Sequence, residues 1–177
     1  MLSFDEMQLK LRGSISPHRY AHSLGVMETA VKLAKIYGAN VEKCRIAGLL
    51  HDCAKGMSTD EMLSAIQKGG IELYDGEEAH PQLLHAPAGV YVAKSEYGVA
   101  DEEILSAIRS HTVAGKNMSL IDAIINVSDF IEPGRRSFEG LQEVRALAEK
   151  DIFAALEECK RLTKEYCLKN GQSVFSI

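Results

Sequence analysis

The chain has 177 residues, of which 46% are hydrophobic and 25% are charged, a size and composition that suit one compact domain and are too small for two. Its 25 acidic residues outnumber 20 Lys and Arg, and the resulting net charge of -5 argues against a general nucleic-acid-binding surface and against binding to anionic membranes. No apolar run approaches the roughly 20 residues that span a bilayer, so membrane insertion is not expected.

The start of the chain and its cysteines indicate a cytoplasmic protein. The first residues include two acids where a signal peptide would carry positive charge, and no apolar stretch follows. The four cysteines show no CxxC spacing, so neither a zinc knuckle nor a disulfide framework is expected. We predict reduced thiols.

Apolar residues recur every three or four positions along almost the whole chain, which predicts an all-α domain. Ser3 and Ser58 each stand three residues before a Glu, the spacing of a capping box, and Ser16 precedes a proline at a first helical position. Gly and Pro residues mark the helix ends. The predicted helices are 3–12, 17–37, 41–52, 59–69, 82–97, 102–110, 119–131 and 138–169.

The last predicted helix, 138–169, carries one apolar stripe with Lys and Glu between its members. We interpret it as a packing helix without chemistry. The whole chain, 1–177, is expected to form a single domain.

An imidazole and a carboxylate stand side by side at the end of the apolar segment Ile46-Ala-Gly-Leu-Leu-His51-Asp52. Burying both groups is unfavourable unless something compensates them, and a metal ion is a natural compensation. An isolated pair of this kind would more often be a hydrogen-bonded His and an exposed Asp. However, His22 and Asp129 also lie in apolar helical segments, so three helices each offer a polar ligand.

Six motifs in order extend this pattern: Arg-Tyr-x-His-Ser, Gly-Leu-Leu-His-Asp-Cys-Ala-Lys, Leu-Leu-His-x-Pro-x-Gly, Ser-His-Thr, Met-Ser-Leu and Asp-x-Ile-Glu-Pro-x-Arg. With His22, His51-Asp52 and Asp129, they resemble the HD-domain phosphohydrolases, and within them the bacterial YqeK family of symmetrical diadenosine tetraphosphate hydrolases. The resemblance covers about 17–136 and implies a helical HD-domain bundle with a metal site in its core.

The resemblance further implies a second metal position, completed by His85 and His111 and bridged by Asp52. The predicted metal ligands are therefore His22, His51, Asp52, His85, His111 and Asp129, whereas His18 and His80 are left outside this set. Two transition-metal ions are expected; the resemblance favours iron, although imidazole and carboxylate ligands also suit manganese, cobalt, nickel or zinc.

Substrate-binding cations are available beside the motifs. Lys55 resembles the HD-domain lysine that faces a substrate phosphate, and Arg19, Arg135 and Arg136 can fork onto phosphate oxygens. After His111-Thr112 the family continues with Thr, Gly and Arg, whereas this chain reads Val-Ala-Gly-Lys-Asn, which leaves Lys116 as a displaced substitute for the arginine.

The resemblance implies a metal-dependent hydrolase that cleaves dinucleoside polyphosphates, and we expect Asp52 and Lys55 as catalytic residues and a metal-activated hydroxide as nucleophile. The expected substrate is diadenosine tetraphosphate, the product is ADP, and a homodimer is the expected assembly. Other interpretations stay open: an HD phosphohydrolase acting on nucleoside mono- or triphosphates or guanosine alarmones, a di-iron oxygenase, and a non-catalytic nucleotide sensor.

Overall fold

The computed structural model describes residues 1–113, 115 and 117–171, and within them all regular structure is helical, which confirms the predicted fold class. The α-helices in chain order are α1 (Phe4–Ser14), α2 (Pro17–Tyr37), α3 (Val41–Leu50), α4 (Thr59–Gly69), α5 (His85–Tyr97), α6 (Glu102–Ser110), α7 (Leu120–Ile131), α8 (Leu141–Ala148) and α9 (Ile152–Lys169). Two short 3₁₀ turns, Glu77–Ala79 and Pro81–Leu83, connect α4 to α5.

The helix starts follow the predicted caps. Ser3 and Ser58 form capping boxes with Glu6 and Glu61, in which the serine side chain accepts a backbone N–H and the glutamate accepts the backbone N–H of the serine. Ser16 caps α2 in front of its proline. These local hydrogen bonds satisfy donors that have no partner inside the helix, so the sequence alone places these three starts. The predicted start at 82 is three residues early, because α5 has no side-chain cap and Pro81–Leu83 form a 3₁₀ turn before it.

The prediction of one continuous helix over 138–169 is wrong. The chain forms α8 and α9, with a break at Glu149–Asp151, because the Asp151 carboxylate accepts the backbone N–H groups of Phe153 and Ala154 at 3.1 and 3.0 Å and so starts a new helix. The apolar spacing continues across the break, since both helices bury the same stripe against the core.

Helix α3 lies at the centre of the packing and contacts α2, α6 and α7, while α7 also packs on α2, α6, α8 and α9. Gly48 of α3 faces the backbone of α2 so closely that a Cβ atom there would lie 2.9 Å from Met27 Cα. This approach brings the end of α3 beside the first half of α2. Helix α2, which carries His22, and helix α3, which His51 follows, can therefore approach closely at Gly48.

None of the helices among the described residues combines the length and the hydropathy that crossing a bilayer requires.

We predict that Gly48→Ala lowers the free energy of unfolding by about 1–3 kcal/mol, because the added methyl group meets helix backbone that cannot give way. Alanine has the higher helix propensity, so the loss has to come from the contact with α2. Chemical denaturation of the metal-free protein measures it.

Gly13→Ala is the matched control, since Gly13 also lies in a helix and, among the described residues, no atom outside its own helical turn lies within 4 Å of its Cβ position. This variant should leave stability unchanged or raise it by up to about 1 kcal/mol. Equal effects of the two substitutions would contradict the packing explanation.

Candidate metal centre

The structure brings all six predicted ligands into one cluster at the ends of five helices. His22 lies in α2 and Asp129 in α7, whereas His51 and Asp52 follow α3, His85 begins α5 and His111 follows α6. All are buried except Asp129, whose side chain is 22% exposed. Burial of so many polar groups in one place needs strong mutual compensation.

One half of the cluster consists of His22, His51 and Asp129. The Nε2 atom of His22 lies 2.9 Å from Asp129 Oδ1 and 3.3 Å from His51 Nε2. A transition metal binds imidazole nitrogen at about 2.0–2.1 Å, so neighbouring ligand atoms of one ion stand about 3 Å apart. The third separation, from His51 Nε2 to Asp129 Oδ1, is 3.9 Å, so the three atoms lie close enough together to surround a single ion.

The other half consists of His85 and His111, whose Nε2 atoms are 3.0 Å apart. Asp52 lies between the halves. Its Oδ1 atom is 3.3 Å from His85 Nε2 and 3.6 Å from His111 Nε2, while its Oδ2 atom is 3.4 Å from His51 Nε2 and 3.8 Å from His22 Nε2. Each carboxylate oxygen thus faces a different half, as a bridging ligand requires.

The orientation of the rings determines which nitrogen can bind a metal. The Nδ1–H groups of His51, His85 and His111 each donate to a backbone carbonyl three residues earlier, at 2.8, 2.8 and 2.7 Å. A carbonyl only accepts, so Nδ1 carries the proton and the Nε2 lone pair points into the cluster. Facing lone pairs need a cation between them, and imidazole with carboxylate suits transition-metal ions.

Electrostatics keep Asp52 and His85 in the form that binds a metal. Burial raises the pKa of the Asp52 carboxyl, but the charges and hydrogen bonds of His51 and His111 outweigh burial, so this pKa lies well below its ordinary value. Burial, with the neighbouring His111, holds the pKa of His85 well below its ordinary value. At neutral pH Asp52 is therefore ionised and His85 is neutral.

Three of the predicted substrate-binding cations border the cluster. Arg19 donates to Asp52 Oδ2 at 2.8 Å, and Arg135 donates to both the carboxylate and the backbone carbonyl of Asp129. Desolvation lowers the pKa of the Lys55 ammonium, and the Arg19 charge adds to this effect, whereas the Asp52 carboxylate opposes it. Arg19 and Lys55 also line a cleft of about 580 Å³ between the α1–α2 connection and the turn after α3.

The remaining predicted residues lie apart from the cluster. Arg136 is exposed, and no hydrogen bond or ion pair links it to a ligand within the part of the chain that the structure describes. Lys116 falls outside the described residues. His18, which was left out of the ligand set, is exposed on α2.

Three supporting residues were missed by the sequence reasoning. Glu132 contacts His22 Nδ1 at 3.1 Å, and Asn126 donates to the backbone carbonyl of His111 at 2.8 Å. Arg145 donates to the carbonyls of Ile131 and Glu132 at 3.0 Å each. Only Glu132 left a signal in the sequence, as a carboxylate in an apolar segment just before Pro133.

A helical bundle in which a His-Asp pair joins a distant His and a distant Asp in one buried cluster defines the HD-domain class of metal-binding proteins. In agreement with this, the family model described as HD domain matches residues 19–134.

The relatives specify the family further. The chain is 42% identical to the symmetrical bis(5'-nucleosyl)-tetraphosphatase of Bacillus subtilis, over 93% of this chain and 88% of that protein. It is 41% identical to the protein of the same name from Halalkalibacterium halodurans, over 91% and 85% of the two chains. The chain therefore belongs to the YqeK family of HD-domain hydrolases.

A solved structure agrees with this assignment. The crystal structure of a protein from Clostridium acetobutylicum, described as a predicted HD superfamily hydrolase involved in NAD metabolism, superimposes with a TM-score of 0.94 at 41% identity. The match covers 99% of this chain and 92% of that one. The helical arrangement that builds the cluster is thus shared with an experimentally determined HD protein.

We predict that Asp52→Ala abolishes binding of both metal ions, because Asp52 alone faces both halves of the cluster. His85→Ala and His111→Ala should each lose mainly one ion. Metal content per chain, measured by elemental analysis after purification, checks both statements.

His18→Ala is the control, because this exposed histidine lies in the same helix as His22 but outside the cluster. It should keep the full metal content. An unchanged metal content in Asp52→Ala would show that the bridging role is assigned incorrectly.

Proposed function

We propose that this protein hydrolyses diadenosine tetraphosphate symmetrically to two molecules of ADP, using the six-residue cluster as a centre for two metal ions. The observation that carries the proposal is the position of Asp52, whose two oxygens face two separate groups of imidazoles beside a cleft with two cations. The name of the relatives at 41 and 42% identity supports the same activity.

The ligands are proposed as His22, His51 and Asp129 for one ion and His85 and His111 for the other, with Asp52 between them. Their nitrogen and oxygen donors fit iron, which we favour, and also manganese, cobalt, nickel and zinc. Metal ions bound here would lower the pKa of a coordinated water to about 7 and neutralise phosphate charge. Elemental analysis of protein purified without added metal tests the choice of iron.

The positive side chains bind and orient the polyphosphate. Lys55 lies three residues after Asp52 and lines the cleft together with Arg19, which supports a role for its ammonium in binding a phosphate at the cluster. Arg19 and Arg135 are held against the carboxylates of Asp52 and Asp129, from where their free N–H groups can donate to phosphate oxygens. Phosphoryl transfer depends mainly on such positioning and charge neutralisation.

The cleft adjoins the cluster at Arg19, whose guanidinium donates to Asp52. Its lining consists of Gly13–Ser16 together with Arg19, Lys55 and Gly56, and the backbone N–H groups at the start of α2 add to its positive character. We place the phosphates beyond the reacting one in this cleft. An anionic substrate is thereby attracted locally although the chain as a whole carries a charge of -5.

We also propose that residues 1–177 form one domain, because α9 packs on α7, the helix that carries Asp129. A cytoplasmic location is supported by the four free cysteines, of which Cys44, Cys53 and Cys159 are buried. The proposed homodimer is tested by light scattering of the purified protein.

Turnover of diadenosine tetraphosphate in oxygen-18 water should yield ADP as the sole nucleotide product, with one label per cleavage on a terminal phosphate. Attack on an inner phosphate splits the chain in the middle, and the water oxygen stays on the phosphorus that it attacks. Mass spectrometry of the separated nucleotides makes the measurement.

AMP together with ATP would mean asymmetric cleavage and would contradict the proposal, even with metal dependence intact. Rapid cleavage of a nucleoside triphosphate or a guanosine alarmone beside intact diadenosine tetraphosphate would favour the other HD phosphohydrolases.

Lys55→Ala should lower the turnover number by about 10²- to 10³-fold, the range seen when one preorganised donor to a reacting group is removed. No hydrogen bond or ion pair joins the Lys55 ammonium to another described residue, so the midpoint of thermal unfolding should hardly change. Steady-state kinetics and thermal unfolding of the same preparation check the two statements.

Lys68→Ala, which removes an exposed lysine near the end of α4, is the matched control and should retain full activity. Full activity in Lys55→Ala as well would show that Lys55 is an ordinary surface cation without a role in catalysis.

A further inference from the structure

Glu132 is a buried carboxylate, 3% exposed, in the turn that directly follows α7. Its Oε1 atom lies 3.1 Å from His22 Nδ1, and its Oε2 atom accepts the backbone N–H of Gly134 at 2.5 Å. A carboxylate only accepts, so His22 donates from Nδ1 and keeps its Nε2 lone pair for the cluster. Glu132 thus determines which nitrogen of His22 is available.

The residues around Glu132 leave a closely fitting space for its carboxylate. A Cβ atom on Gly25 would lie 2.6 Å from Glu132 Oε2, and one on Gly134 would lie 2.9 Å from the same atom. Arg145, from α8, holds the carbonyls of Ile131 and Glu132 at 3.0 Å each. Residues of α2, of the turn after α7 and of α8 therefore keep the carboxylate in one position.

The other buried glutamate shows what an ordinary structural carboxylate looks like here. Glu77 is fully buried and forms an ion pair with Arg109, at 2.6 Å. Among the described residues, Glu132 has no such pair with a Lys or Arg, and His22 is its one side-chain partner with a basic group. A buried carboxylate requires a compensating positive charge, and His22 connects Glu132 to the place where a metal ion would supply it.

His22 also differs from the other three imidazoles of the cluster. Those rings donate from Nδ1 to neutral backbone carbonyls, whereas His22 donates to a carboxylate. A carboxylate partner fixes the ring and makes the opposite nitrogen a stronger metal ligand than a carbonyl partner does. The two halves of the cluster are therefore unequal in ligand strength.

We infer that Glu132 is a positioning residue for His22, and that it makes the ion position of His22, His51 and Asp129 the tighter of the two. The inference rests on the proposed metal centre and adds an order of filling: the ion beside Glu132 binds first and leaves last, while the ion held by His85 and His111 exchanges more readily.

Titration of the metal-free protein with Co²⁺, followed by calorimetry and by the visible absorption of the bound ion, tests this order. The unmodified protein should bind two ions in two steps. In His85→Ala the ion position of His85 and His111 is lost, so the remaining binding step identifies the tighter one. In His22→Ala the ion position beside Glu132 is lost, so the remaining binding step identifies the weaker one.

Glu132→Gln should weaken the tight step by about 10- to 100-fold, the range observed when a hydrogen-bond partner of a metal-binding histidine is lost, and leave the weak step unchanged. In the His22→Ala background the same substitution should add no further loss, because the carboxylate acts through that ring. This dependence distinguishes positioning from a general effect on folding.

Glu77→Gln is the matched control, since it neutralises the other buried glutamate, and it should leave the tight step unchanged. Gly25→Ala is a second test that retains the carboxylate: its methyl group displaces the end of the Glu132 side chain and should weaken the same step.

Equal weakening of both steps in Glu132→Gln, or none, would overturn the inference, as would a further loss in the His22→Ala background. These readouts measure binding alone. If Glu132→Gln behaves as expected but diadenosine tetraphosphate is not cleaved, the proposed reaction fails while the inference stands.

Discussion

The structure depends on the burial of Asp52 among four imidazoles. A carboxylate that is 3% exposed within an apolar bundle needs compensating positive charge. Arg19 donates to its Oδ2 atom, and two imidazoles face each of its oxygens across the position where a metal ion would bind. This requirement fixes the ends of five helices relative to one another. The close approach of α2 and α3 at Gly48 is one consequence, because His22 and His51 could not meet across a wider gap.

Most of the proposed ligands lie at helix ends, where their side chains both satisfy backbone carbonyls and face the cluster. The last carbonyls of a helix have no partner within it. His51 and His111 donate from Nδ1 to Gly48 and Ile108, which lie in the last turns of α3 and α6, so the same hydrogen bond satisfies an end carbonyl and orients a metal-binding ring. Asn126 and Arg145 cover further carbonyls at the ends of α6 and α7. The same hydrogen bonds therefore satisfy the carbonyls at the helix ends and orient the side chains of the metal centre.

Positive side chains lie around the same metal centre. The chain carries a net charge of -5, yet Arg19 and Arg135 are held beside the cluster by its own carboxylates, and Lys55 opens onto the adjoining cleft. Positive charge is thus concentrated where a polyphosphate would bind, although the protein as a whole is acidic. Glu132 lies on the opposite side of His22, buried and away from the cleft, where its charge acts on the ring.

Local sequence determined the helices, because caps such as Ser58 with Glu61 and the apolar period act within a few residues. The family resemblance supplied the six proposed ligands, and the fold brings them together. The break at Asp151 was missed because the apolar spacing of one helix also describes two helices that pack on the same core. Glu132, Asn126 and Arg145 were missed because their roles depend on partners from 13 to 110 positions away in the chain. Only the tertiary structure decides such contacts. The sequence next to Pro133 is identical whether the carboxylate faces solvent or contacts a histidine of another helix, so the sequence cannot distinguish the two cases.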